Sequence, residues 1–193
     1  MAVNPLKGTD RGEGVYHAEM IAPHAAASSH RQPEPVRVST TTLTIAPARP
    51  RDLPRVARLQ RRSFPPRLAY PLGTLALLWA MPWVRLLVAR RGEAIVGCVI
   101  GDRTAEGGRV INLAVDPAAR RQGVGTALLN AIERALPDGD MTLMVQTENS
   151  GAHALYFAMG YADEADLPNY YGPDRPGIWM RKRRQSRVTR DLN

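Results

Sequence analysis

The residues best suited to chemistry lie in one short stretch, AVDPAARRQGVGTALL, at positions 114–129. Two adjacent arginines precede Gly123 and Gly125, and a helical pattern follows directly. A glycine-rich turn at the start of a helix exposes backbone N–H groups at the positive end of the helix dipole, which is an arrangement that binds phosphate. The stretch therefore predicts an anion site with added positive charge from Arg120 and Arg121. The alternative is a helix start softened by glycine, with its arginines in solvent.

Two common nucleotide-binding loops are excluded by the residues that follow this turn. A dinucleotide fingerprint requires a third glycine where this chain has Leu128. A Walker A loop requires Gly-Lys-Ser or Gly-Lys-Thr, which is absent. The surrounding elements must therefore indicate which phosphate-bearing ligand the turn binds.

Hydrophobic periodicity predicts the order β-α-α-β-β-β-α-β-α-β-β around this turn. This order indicates an α/β sandwich with a mainly antiparallel sheet. Gly92 and the pair Gly107-Gly108 are expected in turns between strands. The predicted elements are the strand TLTIAPA; the helix RPRDLPRVARLQRRSF, opened by Asp52 as its cap with Pro54 in the first turn; a helix at 72–80; the strands VRLLVAR, AIVGCVIGD and RVINLAV; a helix from Gly123 to Pro137; the strand DMTLMVQ; a helix capped by Asn149 or Ser150 and closed by Gly160; and strands beginning at Tyr161 and through GIWMRK.

Composition predicts one ordered domain at 41–183, between a disordered leader at 1–40 and a basic tail at 184–193. The chain has 193 residues and 44% hydrophobic residues, enough for one substantial core. The leader lacks periodicity, and its scattered histidines favour solvated side chains over a metal site, so we expect no metal. The net charge is +8. The arginine-rich tail is either solvated or in contact with a ribosome or nucleic acid.

The sequence predicts neither export nor membrane insertion. The apolar stretch at 72–89 is divided by Pro82 and Arg85, and each part falls short of the roughly 20 residues that a span needs. The N-terminus lacks the continuous apolar region of a signal peptide. The single cysteine, Cys98, excludes an internal disulfide and favours inert packing in a strand over a nucleophile. We therefore expect a cytoplasmic protein.

The turn and its surroundings resemble the GCN5-related N-acetyltransferase (GNAT) family. That family's acyl-CoA loop has the form Arg/Gln-x-x-Gly-x-Gly/Ala between its fourth strand and third helix, and RRQGVG follows INLAVDP here. The segment LMVQTENSGAHALYFAMGY is similar to the family's fifth strand, an Asn and a helix bearing a Tyr. LPNYYGPDRPGIWMRK is similar to the end of the subgroup that acetylates protein N-termini, including the ribosomal-protein alanine acetyltransferases. The resemblance spans about Thr42 to Lys182. It implies a six- to seven-stranded sheet flanked by about four helices in three layers.

The resemblance also implies a site for acetyl-CoA as co-substrate. In the family the fourth strand separates from the fifth, leaving main-chain groups for the pantetheine arm, while the amides of the loop hold the pyrophosphate. Asn149 matches a CoA-contacting position, or it only caps its helix. The residues expected to bind acetyl-CoA are Leu113, Ala114, Val115, Arg120, Arg121, Gln122, Gly123, Val124, Gly125, Thr126, Asn149 and Tyr156.

The resemblance assigns catalytic roles only in part. Tyr156 matches the acid that protonates the leaving thiolate, unless it only packs in the core. Many relatives in the ribosomal-protein subgroup carry a Glu in the fifth strand as general base, and a related group carries a His; here the residue is Met144, which cannot accept a proton. Glu148 could act through water or is simply solvated. An α-amine has a pKa of about 7.7 to 8.0, so part of it is already neutral at physiological pH, whereas a Lys amine with a pKa near 10.4 is neutral to roughly one part in a thousand. The reaction of an α-amine would therefore be slowed least by the lack of a base.

Acceptor recognition in the family uses the loop between the first two helices and the final hairpin. Phe64, Tyr70, Tyr170 and Tyr171 are therefore expected to contact the acceptor or to cover the core. We predict direct acetyl transfer to a protein or peptide N-terminus by a monomer or dimer. The alternatives are a small amine as acceptor, such as a polyamine, antibiotic or amino acid, and an acyl-CoA-binding module with little catalysis.

Overall fold

Seven strands and four helices follow one another in the predicted order. The computed structural model describes residues 42–184. The predicted leader and the predicted tail beyond Arg184 lie outside the described residues, so both boundaries stay predictions. The elements are β1 (Leu43–Pro47), α1 (Leu53–Ser63), α2 (Leu72–Ala80), β2 (Val84–Arg91), β3 (Ala94–Thr104), β4 (Gly107–Val115), α3 (Val124–Ala135), β5 (Asp140–Gln146), α4 (Ser150–Ala158), β6 (Ala162–Leu167) and β7 (Gly177–Lys182), with short 3-10 turns at Pro50–Asp52 and Pro117–Ala119.

The strands form one sheet in the order β1-β2-β3-β4-β5-β7-β6. Every neighbouring pair is antiparallel except β4 and β5, which run parallel. Helices α1 and α2 pack on one face through buried residues such as Leu59 and Leu75, and α3 and α4 pack on the other through Leu128 and Tyr156. The fold class expected from the sequence, a three-layer α/β arrangement with a mainly antiparallel sheet, is confirmed.

One local prediction holds in part and another is wrong. Asp52 occupies the N-cap position of α1, with Pro54 in the first turn, but its side chain makes no capping hydrogen bond: the carboxylate instead accepts from the Arg49 N–H at 2.8 Å and pairs with Arg90 at 2.6 Å. Gly107 begins β4 instead of lying in a turn. A Cβ there would lie 2.3 Å from the Asp140 carbonyl oxygen, so glycine permits β4 and β5 to approach at their first pair.

Arg184, the first residue of the predicted tail, packs against the end of α3. It donates hydrogen bonds of 2.6 to 2.7 Å to the carbonyls of Glu133, Pro137 and Gly139.

Between residues 42 and 184, no helix has both the length and the apolar character needed to cross a bilayer.

Candidate functional site

The parallel strands β4 and β5 stay paired for only four residues. Their register runs from Gly107 opposite Asp140 to Val110 opposite Leu143. Beyond that point β4 remains paired with β3, while β5 remains paired with β7 as far as Gln146. The two strands therefore separate and open a cleft in the middle of the sheet, as the resemblance implied.

Main-chain groups of β4 line one side of this opening. Asp116 donates to the Val96 carbonyl of β3 at 2.9 Å, and backbone groups alternate direction along a strand. The N–H and C=O groups of Leu113 and Val115 therefore point away from β3, toward the opening, whereas those of Ala114 point toward β3. Of the three residues expected to bind the pantetheine arm, Leu113 and Val115 therefore direct main-chain groups toward the opening, and the binding role of all three stays a prediction.

The turn before α3 presents a run of backbone amides. Within residues 42–184, the N–H groups from Arg121 to Thr126 have no hydrogen-bond acceptor. Arg121 and Gly123 both adopt positive φ, 59° and 76°. Left-handed residues within such a turn aim successive N–H groups at a common point, a geometry that binds anions together with the helix dipole. The local structure therefore suits a pyrophosphate.

The side chains of this turn divide into structural and exposed groups. Arg120 donates to the carbonyls of Val115 at 3.5 Å and Ser63 at 3.3 Å, and Gln122 donates to Ala118 at 2.9 Å while accepting from Arg91. Arg121 is exposed and has no partner within the described residues.

Gly125 lies where α3 packs closely against α4, and its predicted role in binding acetyl-CoA is not tested by this contact. A Cβ at Gly125 would lie 3.0 Å from Leu155 of α4. Glycine at this position therefore permits α3 and α4 to pack closely, whereas Gly123 has open space around it. Of the two glycines in the motif, Gly123 is the one that the turn itself requires.

The cleft runs through the sheet and has a volume of about 160 Å³. That volume is below the roughly 300 to 1,000 Å³ of pockets that enclose a drug-sized ligand. Among residues 42–184, no Asp, Glu, His, Lys or Arg side chain lines it. Its lining residues are Phe64, Leu68, Tyr70, Val110, Ile111, Asn112, Leu113, Met144, Val145, Gln146, Asn149, Ala152, Tyr156 and Tyr171.

Tyr156 lies on α4 with its ring buried and its side chain in the cleft lining. Its hydroxyl has no hydrogen-bond partner within the described residues, yet none of the fully buried polar side-chain atoms there lacks a partner. The hydroxyl therefore reaches the cleft surface. Burial, with a smaller contribution from Tyr171, raises the pKa of Tyr156 well above its ordinary value of 10, so the hydroxyl remains protonated.

Met144 lies where β5 leaves β4 and lines the cleft, so no base occupies this position. Asn149 caps α4 by accepting from the Ala152 N–H at 3.1 Å, and it also lines the cleft. Both interpretations of Asn149, cap and CoA contact, remain compatible with this placement. Glu148 is exposed in the turn between β5 and α4 and does not line the cleft. Its role as a base acting through water stays a prediction.

The aromatic acceptor candidates gather on one side of the cleft. Phe64, Tyr70 and Tyr171 line it, while Tyr170 is 53% exposed and packs edge-on against Tyr171 with ring centroids 4.9 Å apart. The Tyr171 hydroxyl donates to the Met144 carbonyl at 3.0 Å, which fixes the final hairpin to β5. Burial, followed by the Tyr170 and Tyr70 phenols, raises the pKa of Tyr171 to about 12.

One polar pair in the cleft was not predicted from the sequence. Gln60 of α1, fully buried, donates to Asn112 Oδ1 at 2.6 Å and to the Cys98 sulfur at 3.5 Å. Asn112 donates back to Gln60 Oε1 at 3.4 Å and lines the cleft. The available signal was a glutamine on the apolar stripe of α1, four residues after Val56, and an asparagine within the apolar strand INLAV.

Cys98 is fully buried, and burial raises its pKa to about 12, so the expected inert packing agrees with its position.

Within residues 42–184, no three His, Cys, Asp or Glu side chains are grouped so that they could hold a metal ion. A larger concavity of about 500 Å³ lies on β1, β2 and the start of α1. It contains none of the site residues predicted from the sequence.

The sequence of this chain is similar to that of known acetyltransferases. Residues 82–163 match the family described as "Acetyltransferase (GNAT) domain". An uncharacterised N-acetyltransferase of Methanocaldococcus jannaschii is 31% identical over 138 residues, covering 69% of this chain and 87% of the relative. The ribosomal protein bS18-alanine N-acetyltransferase of Escherichia coli K12 is 30% identical over 137 residues, covering 66% and 86%.

Solved structures show the same fold. The crystal structure of the ribosomal-protein-S18-alanine N-acetyltransferase from Escherichia coli aligns with a TM-score of 0.66 at 24% identity, covering 79% of this chain and 99% of that one. Arabidopsis thaliana NAA60 in complex with acetyl-CoA aligns with a TM-score of 0.63 at 22% identity, covering 74% and 98%.

Proposed function

The chain belongs to the GNAT family of acetyltransferases, and from this premise we propose that it transfers acetyl from acetyl-CoA directly to the α-amine of a protein or peptide N-terminus. The observation that carries the proposal is the cleft through the sheet between β4 and β5, which no charged side chain of residues 42–184 lines. The similarity to an enzyme that acetylates a ribosomal protein supports the same class of acceptor.

Acetyl-CoA would be held by groups on the face that carries α3 and α4. The amides from Arg121 to Thr126 would bind the pyrophosphate, and exposed Arg121 would add charge at its edge. The main-chain groups of Leu113 and the N–H of Val115 would bind the pantetheine arm where β4 leaves β5, because the Val115 carbonyl already accepts from Ser63 and Arg120. The thioester would then lie in the cleft beside Tyr156.

The acceptor would enter from the side on which Phe64, Tyr70 and Tyr171 lie. A lining without charged side chains provides no counter-ion for an ammonium group, so it favours the neutral amine. An α-amine with a pKa of about 7.7 to 8.0 supplies that form at neutral pH far more readily than lysine does. Because a polycation would find no carboxylate in this lining, the cleft argues against a polyamine as acceptor.

In the proposed reaction the amine nitrogen forms a bond to the acetyl carbonyl carbon and the carbon–sulfur bond breaks. The amine loses a proton and the departing sulfur gains one, so the products are an amide and the free thiol. A thiol has a pKa of about 8.5, far below that of buried Tyr156, so complete transfer from the tyrosine is uphill. Tyr156 therefore stabilises the leaving sulfur by donating a hydrogen bond, and the acceptor's own proton balances the reaction.

The test compares two peptides of one sequence that contains lysine, one with a free N-terminus and one with its N-terminus blocked. CoA release and the mass of the product are measured at pH 7.5 with spermidine as a third acceptor. The difference in neutral fraction predicts turnover about 100- to 1,000-fold faster on the free α-amine than on the blocked peptide. Equal rates on the two peptides, or preferred turnover of spermidine, would contradict the proposal.

A further inference from the structure

The amide of Asn112 lies at the point where β4 and β5 separate. Its contact with Gln60 places it on the α1 face of the sheet, and Met144 lies on the same face, opposite to Leu143 and Val110. Both Asn112 and Met144 line the cleft. A neutral amide therefore lies in the cleft on the same face of the sheet as Met144.

Gln60 fixes the orientation of this amide. Its side chain is fully buried, and its nitrogen donates to both Asn112 Oδ1 and the Cys98 sulfur, at 2.6 and 3.5 Å. Its oxygen accepts from Asn112 Nδ2 at 3.4 Å. A buried amide cannot exchange these partners for water without cost, so the Asn112 oxygen and nitrogen hold defined positions.

Asn112 keeps one acceptor site and one donor for a molecule in the cleft. An asparagine oxygen has two lone pairs and its nitrogen has two hydrogens, and Gln60 occupies one of each. The remaining lone pair can accept an N–H from an amine, and the remaining hydrogen can be donated to a carbonyl nearby. A peptide N-terminus offers this pair of groups, with an amine and the first carbonyl two bonds apart along the chain. A lysine side chain or a simple amine offers only the amine.

We propose that Asn112 is a specificity-determining residue that binds both the α-amine and the first carbonyl of the acceptor, and that Gln60 is its positioning residue. This inference rests on the proposed function and deepens it, since it makes an α-amino acyl group the unit that the cleft recognises. Asn112 Oδ1 orients the amine, which leaves the nitrogen lone pair directed at the thioester. No charged partner is required for this contact.

The experiment measures kcat and KM for acetyl-CoA and for two acceptors: an alanyl peptide and isopropylamine, which has alanine's carbon branching but no carbonyl. The variants are Asn112→Ala, Gln60→Met and the double variant, with Asn130→Ala on α3 as the matched control. Loss of two neutral hydrogen bonds predicts that N112A lowers kcat/KM for the peptide by about 10- to 100-fold. With kcat/KM expressed per neutral amine, because an alkylamine like the lysine amine is mostly protonated at pH 7.5, the fold-loss for isopropylamine is smaller, since only one contact disappears. KM for acetyl-CoA stays within about twofold.

The positioning role of Gln60 has its own readout. Q60M lowers kcat/KM for the peptide in the wild-type background but has less than about a twofold effect once Asn112 is alanine, because residues acting through one contact are not additive. Stabilisation by acetyl-CoA confirms that each variant is folded. N130A retains wild-type kinetics.

Three outcomes would overturn the inference. These are a kcat/KM for the peptide within twofold of wild type in N112A, equal losses for the peptide and isopropylamine, or a parallel rise in KM for acetyl-CoA. Wild-type protein that acetylates isopropylamine but no peptide would refute the proposed function, and this inference with it. Wild-type turnover of the peptide that Asn112→Ala does not change refutes the inference alone.

Discussion

Replacing Tyr156 by phenylalanine removes only the hydroxyl and keeps the ring, so it tests the proposed catalytic role without changing the packing. The hydroxyl has no partner within the described residues and reaches the cleft, while the ring packs in the core. Y156F therefore removes no intramolecular hydrogen bond, and the free energy of unfolding should change by less than about 0.5 kcal/mol. A preorganised hydrogen-bond donor at the atom where charge develops contributes about 100- to 1,000-fold, so kcat should fall by about that factor.

Tyr161 offers a matched control, since its ring centroid lies 6.0 Å from that of Tyr156. Its hydroxyl donates to Glu133 at 3.0 Å, and Glu133 also pairs with Lys182 at 2.7 Å. Y161F removes a hydrogen bond to a charged group, which is worth about 1.5 to 3 kcal/mol. At about 2 to 4 °C per kcal/mol for a domain of this size, Tm should fall by about 3 to 12 °C. Its kcat should remain within about twofold of wild type.

The assay pairs urea unfolding with release of CoA from acetyl-CoA at saturating acceptor. The two variants should separate stability from turnover: Y156F should unfold like the wild type but turn over slowly, and Y161F should be less stable but turn over at the wild-type rate. If Y156F loses stability as Y161F does while turning over normally, Tyr156 is a packing residue and the proposed role is wrong. The same conclusion follows if Y156F only raises KM for acetyl-CoA.

Three further predictions concern the turn, the cysteine and the buried carboxylate. Gly123→Ala places a Cβ on a residue with φ 76°, at a cost of about 1 to 2 kcal/mol, and should distort the turn. Acetyl-CoA should then stabilise this variant less than the wild type in thermal unfolding. The control is Gly73→Ala in α2, which has open space around it and should leave that stabilisation unchanged. Because burial raises the pKa of Cys98 from 9.0 to about 12, the wild type loses stability as pH rises above 9. Between pH 8 and 10, urea unfolding should show that the wild type loses about 1.4 kcal/mol more free energy of unfolding than Cys98→Ala. An equal dependence of this free energy on pH in the two proteins would contradict the prediction. For Asp52, burial opposes ionisation, but Arg90 and the Arg49 N–H outweigh it and lower the pKa of the carboxyl below its ordinary 3.8. Asp52→Asn should therefore lower the free energy of unfolding by about 1 to 3 kcal/mol at pH 7. The difference between the variant and the wild type should narrow as pH falls below 4, because the wild-type carboxylate then becomes protonated.

Elements that depend on a local pattern were predictable from the sequence. The segments DMTLMVQ and GIWMRK coincide with β5 and β7, because each is an apolar run bounded by glycine, proline or polar residues. The start of α3 followed from glycine and the apolar stripe, and Asn149 caps α4 as expected. The family resemblance supplied the separation of the strands and the place of Tyr156 within it.

Features set by distant partners were not predictable in the same way. Asp52 bonds Arg90, which lies on β2, so its sequence position at a helix start indicated the wrong partner. Gly107 joins β4 because of the approach of Asp140, 33 positions further along the chain. The pair formed by Gln60 and Asn112 is separated by 52 residues, and nothing in either local pattern identifies the other residue.

The absence of a base at Met144 is consistent with the rest of the proposed site. A carboxylate there would bind an ammonium as readily as it would remove a proton, whereas in the proposed reaction the lining would favour a neutral amine from the start. The proposed reaction would therefore be limited to acceptors that are partly neutral near pH 7.5, as an α-amine is and a lysine is not. The Asn112 amide can orient such an amine without changing its charge, and Tyr156 can stabilise the departing sulfur without losing its own proton. In the proposed reaction, substitution of the base by methionine therefore shifts the requirement for deprotonation from the enzyme to the choice of acceptor.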